Sequence, residues 1–176
     1  MAESFERLFA IVVGTEGGYS AERADPGNWT GDAVGAGELR GTKFGISAAA
    51  YPTLDIGNLT LADAQAIYRR DYWDRVCGDD LPPPLALIVF DAAVNNGVAR
   101  AARWLQRAAG VAEDGVIGSV TLAAVTGGAR DPAALCAEFL AQRLVFMASL
   151  PTWRDFGLGW ARRLCALPWQ AMALSA

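Results

Sequence analysis

The chain has 176 residues, 53% of them hydrophobic, which suits one domain, or one domain with a small appended lobe, and supplies a sizeable core. A net charge of −4 argues against a nucleic-acid binder or a polybasic membrane-surface protein, since both need basic patches. Histidine is absent, so Ser-His-Asp and Cys-His relays and His-based zinc sites are excluded.

A first helix is expected from about Ser4 to Thr15. Phe5, Phe9, Val12 and Glu16 follow at spacings of four, three and four, which puts them on one face. Gly17 and Gly18 supply a left-handed stop. Ser20 to Gly41 is a long glycine-rich irregular segment carrying Trp29, and loops of this length are usually functional. Thr42 to Ser47 alternates between glycines, as a short strand or hairpin does. Thr60-Leu61-Ala62-Asp63 is a capping sequence that opens a helix reaching about Asp74. Leu81-Pro82-Pro83-Pro84 is a stiff break. The helix after it, Leu85 to about Asn95, is apolar nearly all round and should be the buried central element. Four more helices are expected: Val98 to Ala109, Ser119 to Val125 capped by Ser119, one opened by Asp131-Pro132, and Leu158 to Leu167, up to Pro168. The expected fold is therefore mainly α with at most a small β-hairpin. No stretch is long enough to span a bilayer.

Without histidine, and with Lys43 as the only lysine, paired carboxylates are the favoured chemistry. Glu16 ends an apolar stripe at the negative end of a helix. Burial and the dipole both push its carboxyl toward the protonated form that a general acid needs; a solvent-frayed helix end is the equally weighted alternative. Asp25 lies nine residues on, in the glycine-rich loop. It suits the second carboxylate of glycoside hydrolysis, or the turn that Asp-Pro-Gly encodes. Tyr19, Trp29, Phe44, Tyr51 and Trp73 are aromatics that stack on sugar rings or pack a core. Asp91 and Asn95, four apart on the most buried helix, need polar partners; Asp91 suits a structural role and Asn95 either role. Cys77, Cys136 and Cys165 are far apart, with no CxxC pair, and suit reduced thiols, not a disulfide framework or metal site.

The ordered set Glu16-Gly17-Gly18-Tyr19, Asp25-Pro26-Gly27-Asn28, Thr42-Lys43-Phe44-Gly45-Ile46-Ser47, Tyr68-Arg69-Arg70-Asp71-Tyr72-Trp73 and Phe90-Asp91-Ala92-Ala93-Val94-Asn95-Asn96-Gly97 resembles glycoside hydrolase family 108. These are N-acetylmuramidases of the lysozyme-like superfamily, found as phage endolysins and as bacterial secretion-activator proteins. Leu105-Gln106-Arg107-Ala108 and Asp114-Gly115-Val116-Ile117-Gly118 look like the predicted peptidoglycan-binding domain that accompanies it. The resemblance implies a lysozyme-like helical region over 1–92 and a helical peptidoglycan-binding region over 93–176. It implies Glu16 as the catalytic acid on the β-1,4 bond between N-acetylmuramic acid and N-acetylglucosamine. Asp25 is the second catalytic candidate, and Tyr19, Trp29, Thr42, Phe44 and Asn95 are expected to line the sugar cleft. Many family members have Tyr where this chain has Phe44. A lytic transglycosylase using the same Glu, and a non-catalytic wall-binding accessory, are the rival functions. No cofactor or metal is expected. The expected partners are peptidoglycan strands and a holin for release, with no nucleic acid, no membrane insertion and a monomeric state. Met1 to Arg7 lacks the basic start of a signal peptide, so synthesis in the cytoplasm and action at the cell wall are expected.

Overall fold

The computed structural model describes residues 2–15 and 18–174. Among them are seven α-helices and one two-stranded antiparallel sheet, so the fold is mainly α with a small hairpin, as expected. The chain forms two compact units, one of Glu6–Arg69 and one of Met1–Phe5 with Arg70–Ala176. The division expected at 92/93 falls within a single helix, Pro83–Asn96.

In the smaller unit, helix α1 (Ala2–Val12) buries Phe9 and Val12, and the Phe9 ring meets Tyr68 edge-on at 5.4 Å. The helix ends before the expected Thr15 because Gly14 takes a left-handed φ of +87° and its amide turns back to the Phe9 carbonyl. Strands β1 (Thr42–Lys43) and β2 (Ile46–Ser47) pair with Thr42 opposite Ser47 and Lys43 opposite Ile46. Their turn residues, Phe44 and Gly45, have φ of +51° and +74°, the pair of positive angles that a tight hairpin needs. Phe44 is an uncommon residue for that conformation. Helix α2 (Leu61–Tyr68) holds it: Tyr68 Oη donates to the Phe44 carbonyl at 3.1 Å. A Cβ on Gly45 would stand 2.6 Å from the same hydroxyl, so only glycine fits there. The α2 start is the expected capping box of Thr60 and Asp63.

The α-helix expected to run to Asp74 gives way after Tyr68 to a π-turn over Arg69–Trp73 and a 3-10 turn over Asp74–Val76. The wider turn shifts the helical phase. In the larger unit Trp73 is fully buried, 5.6 Å from Phe5 and 5.4 Å edge-on from Phe90. Helix α3 (Pro83–Asn96) is the central element: Leu85 to Ala93 are buried without a break, as its all-round apolar sequence predicts. Around it pack α4 (Val98–Ala109), α6 (Pro132–Ala148) and α7 (Trp153–Met172), with α5 (Ser119–Thr126) against α4.

Two helix ends differ from expectation. Ser119 is the first helical residue of α5 and Gly118 the cap, with no side-chain bond. Helix α7 starts earlier than expected and runs through Pro168 to Met172, since burial of Leu164, Leu167 and Ala171 outweighs the hydrogen bond that proline removes. Asp131 caps α6 as expected, accepting from the Ala134 amide at 3.1 Å.

One charge cluster ties three of these helices together. Asp91 on α3 is fully buried. Its Oδ1 accepts from Arg143 Nη1 of α6 at 2.6 Å, and its Oδ2 from Arg163 Nε of α7 at 2.6 Å. Arg143 Nε donates to Asn96 Oδ1 at 2.8 Å. Burial lowers the Arg143 pKa, against the opposing pull of Asp91. Asp91 therefore has the structural role its sequence position suggests.

A second hub is Gln106, buried on α4. Its amide donates to Asp114 Oδ1 at 2.6 Å and to the Val116 carbonyl at 3.0 Å, and its oxygen accepts from the Gly115 amide at 2.9 Å. The Asp114-Gly115-Val116-Ile117-Gly118 stretch is thus a tight connection clamped by one side chain.

Candidate active site

Glu16 lies outside the described residues. Asp25 opens a 3-10 turn over Pro26–Asn28, its Oδ1 accepting from the Gly27 amide at 2.9 Å, with Pro26 in the first position. This is the turn geometry that Asp-Pro-Gly encodes. The turn delivers Asn28, which is fully buried, into the middle of the loop. Asn28 Nδ2 donates to the Glu22 carbonyl at 3.0 Å, and its Oδ1 accepts from Thr42 Oγ1 at 2.7 Å. Its own carbonyl accepts from the amides of Arg40 and Gly41, both at 3.0 Å.

Two isolated bridges, Ser20 with Thr42 and Trp29 with Leu39, close the loop at further levels. Trp29 Nε1 donates to the Arg23 carbonyl at 3.0 Å, and the Arg23 guanidinium lies 5.9 Å from the ring centre. The long glycine-rich segment is therefore a braced platform.

Beside that platform is a groove of about 450 Å³, lined by Tyr19, Leu39, Arg40, Thr53, Asp55, Ile56 and Gly57. Tyr19 is half-exposed, and its hydroxyl donates to the Arg40 carbonyl at 3.2 Å. Its ring lies over Gly41, where a Cβ would stand 2.6 Å from a ring carbon and 2.5 Å from the Ser20 carbonyl oxygen. Arg40 is oriented by Glu38 (Nε to Oε2, 2.7 Å) and by the Pro52 carbonyl (3.1 Å). Lys43 Nζ donates to the Gly57 carbonyl at 3.0 Å, tying the hairpin to the groove floor. An exposed aromatic face among a guanidinium, a hydroxyl and a carboxylate is the lining by which polar, ring-shaped ligands such as sugars are held.

Of the residues expected at the site, Tyr19 lines this groove, while Thr42 and Trp29 belong to the brace around Asn28. Phe44 sits at the hairpin tip with Lys43 Nζ 5.7 Å from its ring centre. Asn95, in the other unit, is exposed near the end of α3 and its Nδ2 folds back to the Asp91 carbonyl at 2.8 Å. Asn28, Arg40, Gly41 and Asp55 were not singled out from the sequence. Only the Asp-Pro-Gly-Asn turn hinted at Asn28, and nothing local marks it as buried. No cluster of three or more side chains suited to a metal occurs among the described residues.

A helical protein with a braced loop and a polar aromatic groove has counterparts. A model of the glycosyl hydrolase 108 family matches residues 9–97, and a model of a predicted peptidoglycan domain matches residues 100–165. Among solved structures, that of SagA from Brucella abortus superposes with a TM-score of 0.79 at 33% identity, covering 98% of this chain and 96% of that one. No curated protein sequence matches. The class is thus a glycoside hydrolase of the N-acetylmuramidase type, acting on peptidoglycan. The chain belongs to the glycosyl hydrolase 108 family, with a predicted peptidoglycan domain after the hydrolase region.

Proposed function

We propose that this peptidoglycan hydrolase cleaves the β-1,4 bond between N-acetylmuramic acid and N-acetylglucosamine, with Glu16 as the general acid that protonates the glycosidic oxygen. The observation that carries the reading is the family match over 9–97, which takes in Glu16 together with the loop braced by Asn28. Chemistry supports it: in a chain without histidine, the proton donor for a glycosidic oxygen falls to a carboxyl group. In chain order Glu16 lies between Gly14, where α1 stops, and Tyr19, which lines the groove. Asp25, with Oδ1 on the Gly27 amide, is the second carboxylate of the scheme, positioning water or stabilising the oxocarbenium charge. Tyr19 is the surface on which a sugar ring stacks.

The test is Glu16→Gln incubated with purified peptidoglycan. A folded variant whose lytic rate falls by about a hundredfold or more is expected, the usual scale for losing a general acid; near-normal lysis would remove Glu16 from the role. Mass spectrometry of the wild-type products should show reducing muramic ends. Anhydro-muramic ends would instead make the reaction a lytic transglycosylation.

A further inference from the structure

Helix α7 is held in one rotation about its axis. Gly157, Leu164, Leu167 and Ala171 are buried on its inner side, and Arg163 reaches the buried Asp91. That rotation leaves Leu158, Arg162, Cys165, Trp169 and Met172 exposed to solvent. They follow at spacings of four, three, four and three, the 3.5-residue period of a seam along which helices pair. The three bulky apolar members are 69%, 72% and 63% exposed at Leu158, Trp169 and Met172, an unusual display for one helix face.

The stripe is self-complementary about its middle. Leu158 and Met172 each lie seven residues from Cys165, about 10.5 Å along the axis in opposite directions. Arg162 and Trp169 lie about 4.5 Å and about 6 Å to either side. We propose that α7 is a homodimer seam, in which two copies of this chain pair antiparallel about a two-fold axis at Cys165. Leu158 then packs on Met172 of the partner subunit, and the Arg162 guanidinium covers the indole of the partner's Trp169. A two-fold contact needs this reciprocity, each residue meeting its counterpart twice.

Arg162 is the one charge on the stripe, and the pairing sets it on a ring face, a favourable electrostatic contact, instead of against another cation. Apolar surface continues beside the stripe: Pro168, Ala171 and Met172 rim a groove of about 510 Å³ whose other wall includes Ile88, Cys136 and Leu140. A second copy suits this face better than a lipid surface, since the stripe carries a single cation and the chain a net charge of −4. The seam departs from the monomeric state expected from sequence; burial of Gly157, Leu164, Leu167 and Ala171 and the anchoring of Arg163 on Asp91 together decide which side of α7 faces water.

Light scattering of the full-length protein at tens of micromolar should give twice the 18.6 kDa of one chain. Trp169→Glu and Leu158→Glu, both at exposed positions, should each weaken dimerisation at least tenfold while leaving the circular dichroism unchanged. A short bis-maleimide at neutral pH should join two chains in the wild type and in Cys136→Ser but not in Cys165→Ser. Cys165 is exposed, whereas burial pushes the Cys136 thiol up to about 11. A monomeric wild type, or a dimer that survives Trp169→Glu, overturns the seam. A dimer that is not joined through Cys165 overturns its antiparallel register. Capture of monomers by phosphatidylglycerol vesicles would assign the face to lipid instead.

Discussion

Removing the carboxylate of Asp91 is the sharpest perturbation of the larger unit. In Asp91→Ala, Arg143 keeps its Nε bond to Asn96 but loses its only counter-ion contact among the described residues, at full burial. Breaking a buried pair from one side costs about 3–5 kcal/mol, because the remaining charge stays desolvated. The Arg163 side chain is 38% exposed and turns to water, so its share is at most about 1 kcal/mol. Against a total stability of about 5–15 kcal/mol this is a large fraction. For a chain of this length it corresponds to a melting point lower by roughly 6–20 °C. Urea unfolding followed by far-ultraviolet circular dichroism measures the loss directly as a lower midpoint at similar slope. The double variant Asp91→Leu, Arg143→Met should recover most of it, since an apolar pair of similar volume removes both desolvation costs. If Asp91→Ala unfolds within about 1 kcal/mol of wild type, the cluster is not the buried ion pair described here.

Asn28→Ala should leave Thr42 Oγ1 and the Glu22 carbonyl without their partner, costing about 1–3 kcal/mol, and should lower lytic activity by loosening the loop. Asn28→Asp keeps the acceptor for Thr42 but sets a buried carboxylate oxygen against the Glu22 carbonyl in place of the Nδ2 donor, so at neutral pH it should lower the urea midpoint at least as much as Asn28→Ala. The Asp114 carboxyl is held below its ordinary value, first by the Gln106 amide and then by the Val116 backbone amide. A depressed carboxylate pKa gives stability that is present above the unfolded value and is lost as pH falls through the folded one. Asp114→Asn should therefore show a shallower decline in unfolding midpoint at acid pH than the wild type.

What local sequence determines is visible element by element. The capping box of Thr60 and Asp63 and the Asp131-Pro132 start rest on contacts within a few residues, while the apolar run of α3 and the alternation over 42–47 are local patterns; each element formed where its pattern lies. The Asp25 turn is of the same kind, because the accepting oxygen and the donating amide are two residues apart. Other features waited on packing. Helix α1 stopped at Gly14, one of several glycines able to do so. Helix α7 continued past Pro168 because burial on its inner face outweighed a missing amide. The role of Asn28 depends on Thr42, fourteen residues away, and that of Asp91 on arginines 52 and 72 residues further along. Nothing in a one-dimensional pattern marks such partners, since their bonds form only once separate helices and loops have been brought together. The sequence by itself thus specified the helical elements, through local propensity, and its ordered motifs carried the family. The tertiary structure alone decided how the glycine-rich loop is braced and which face of α7 meets solvent, because burial and long-range pairing set both.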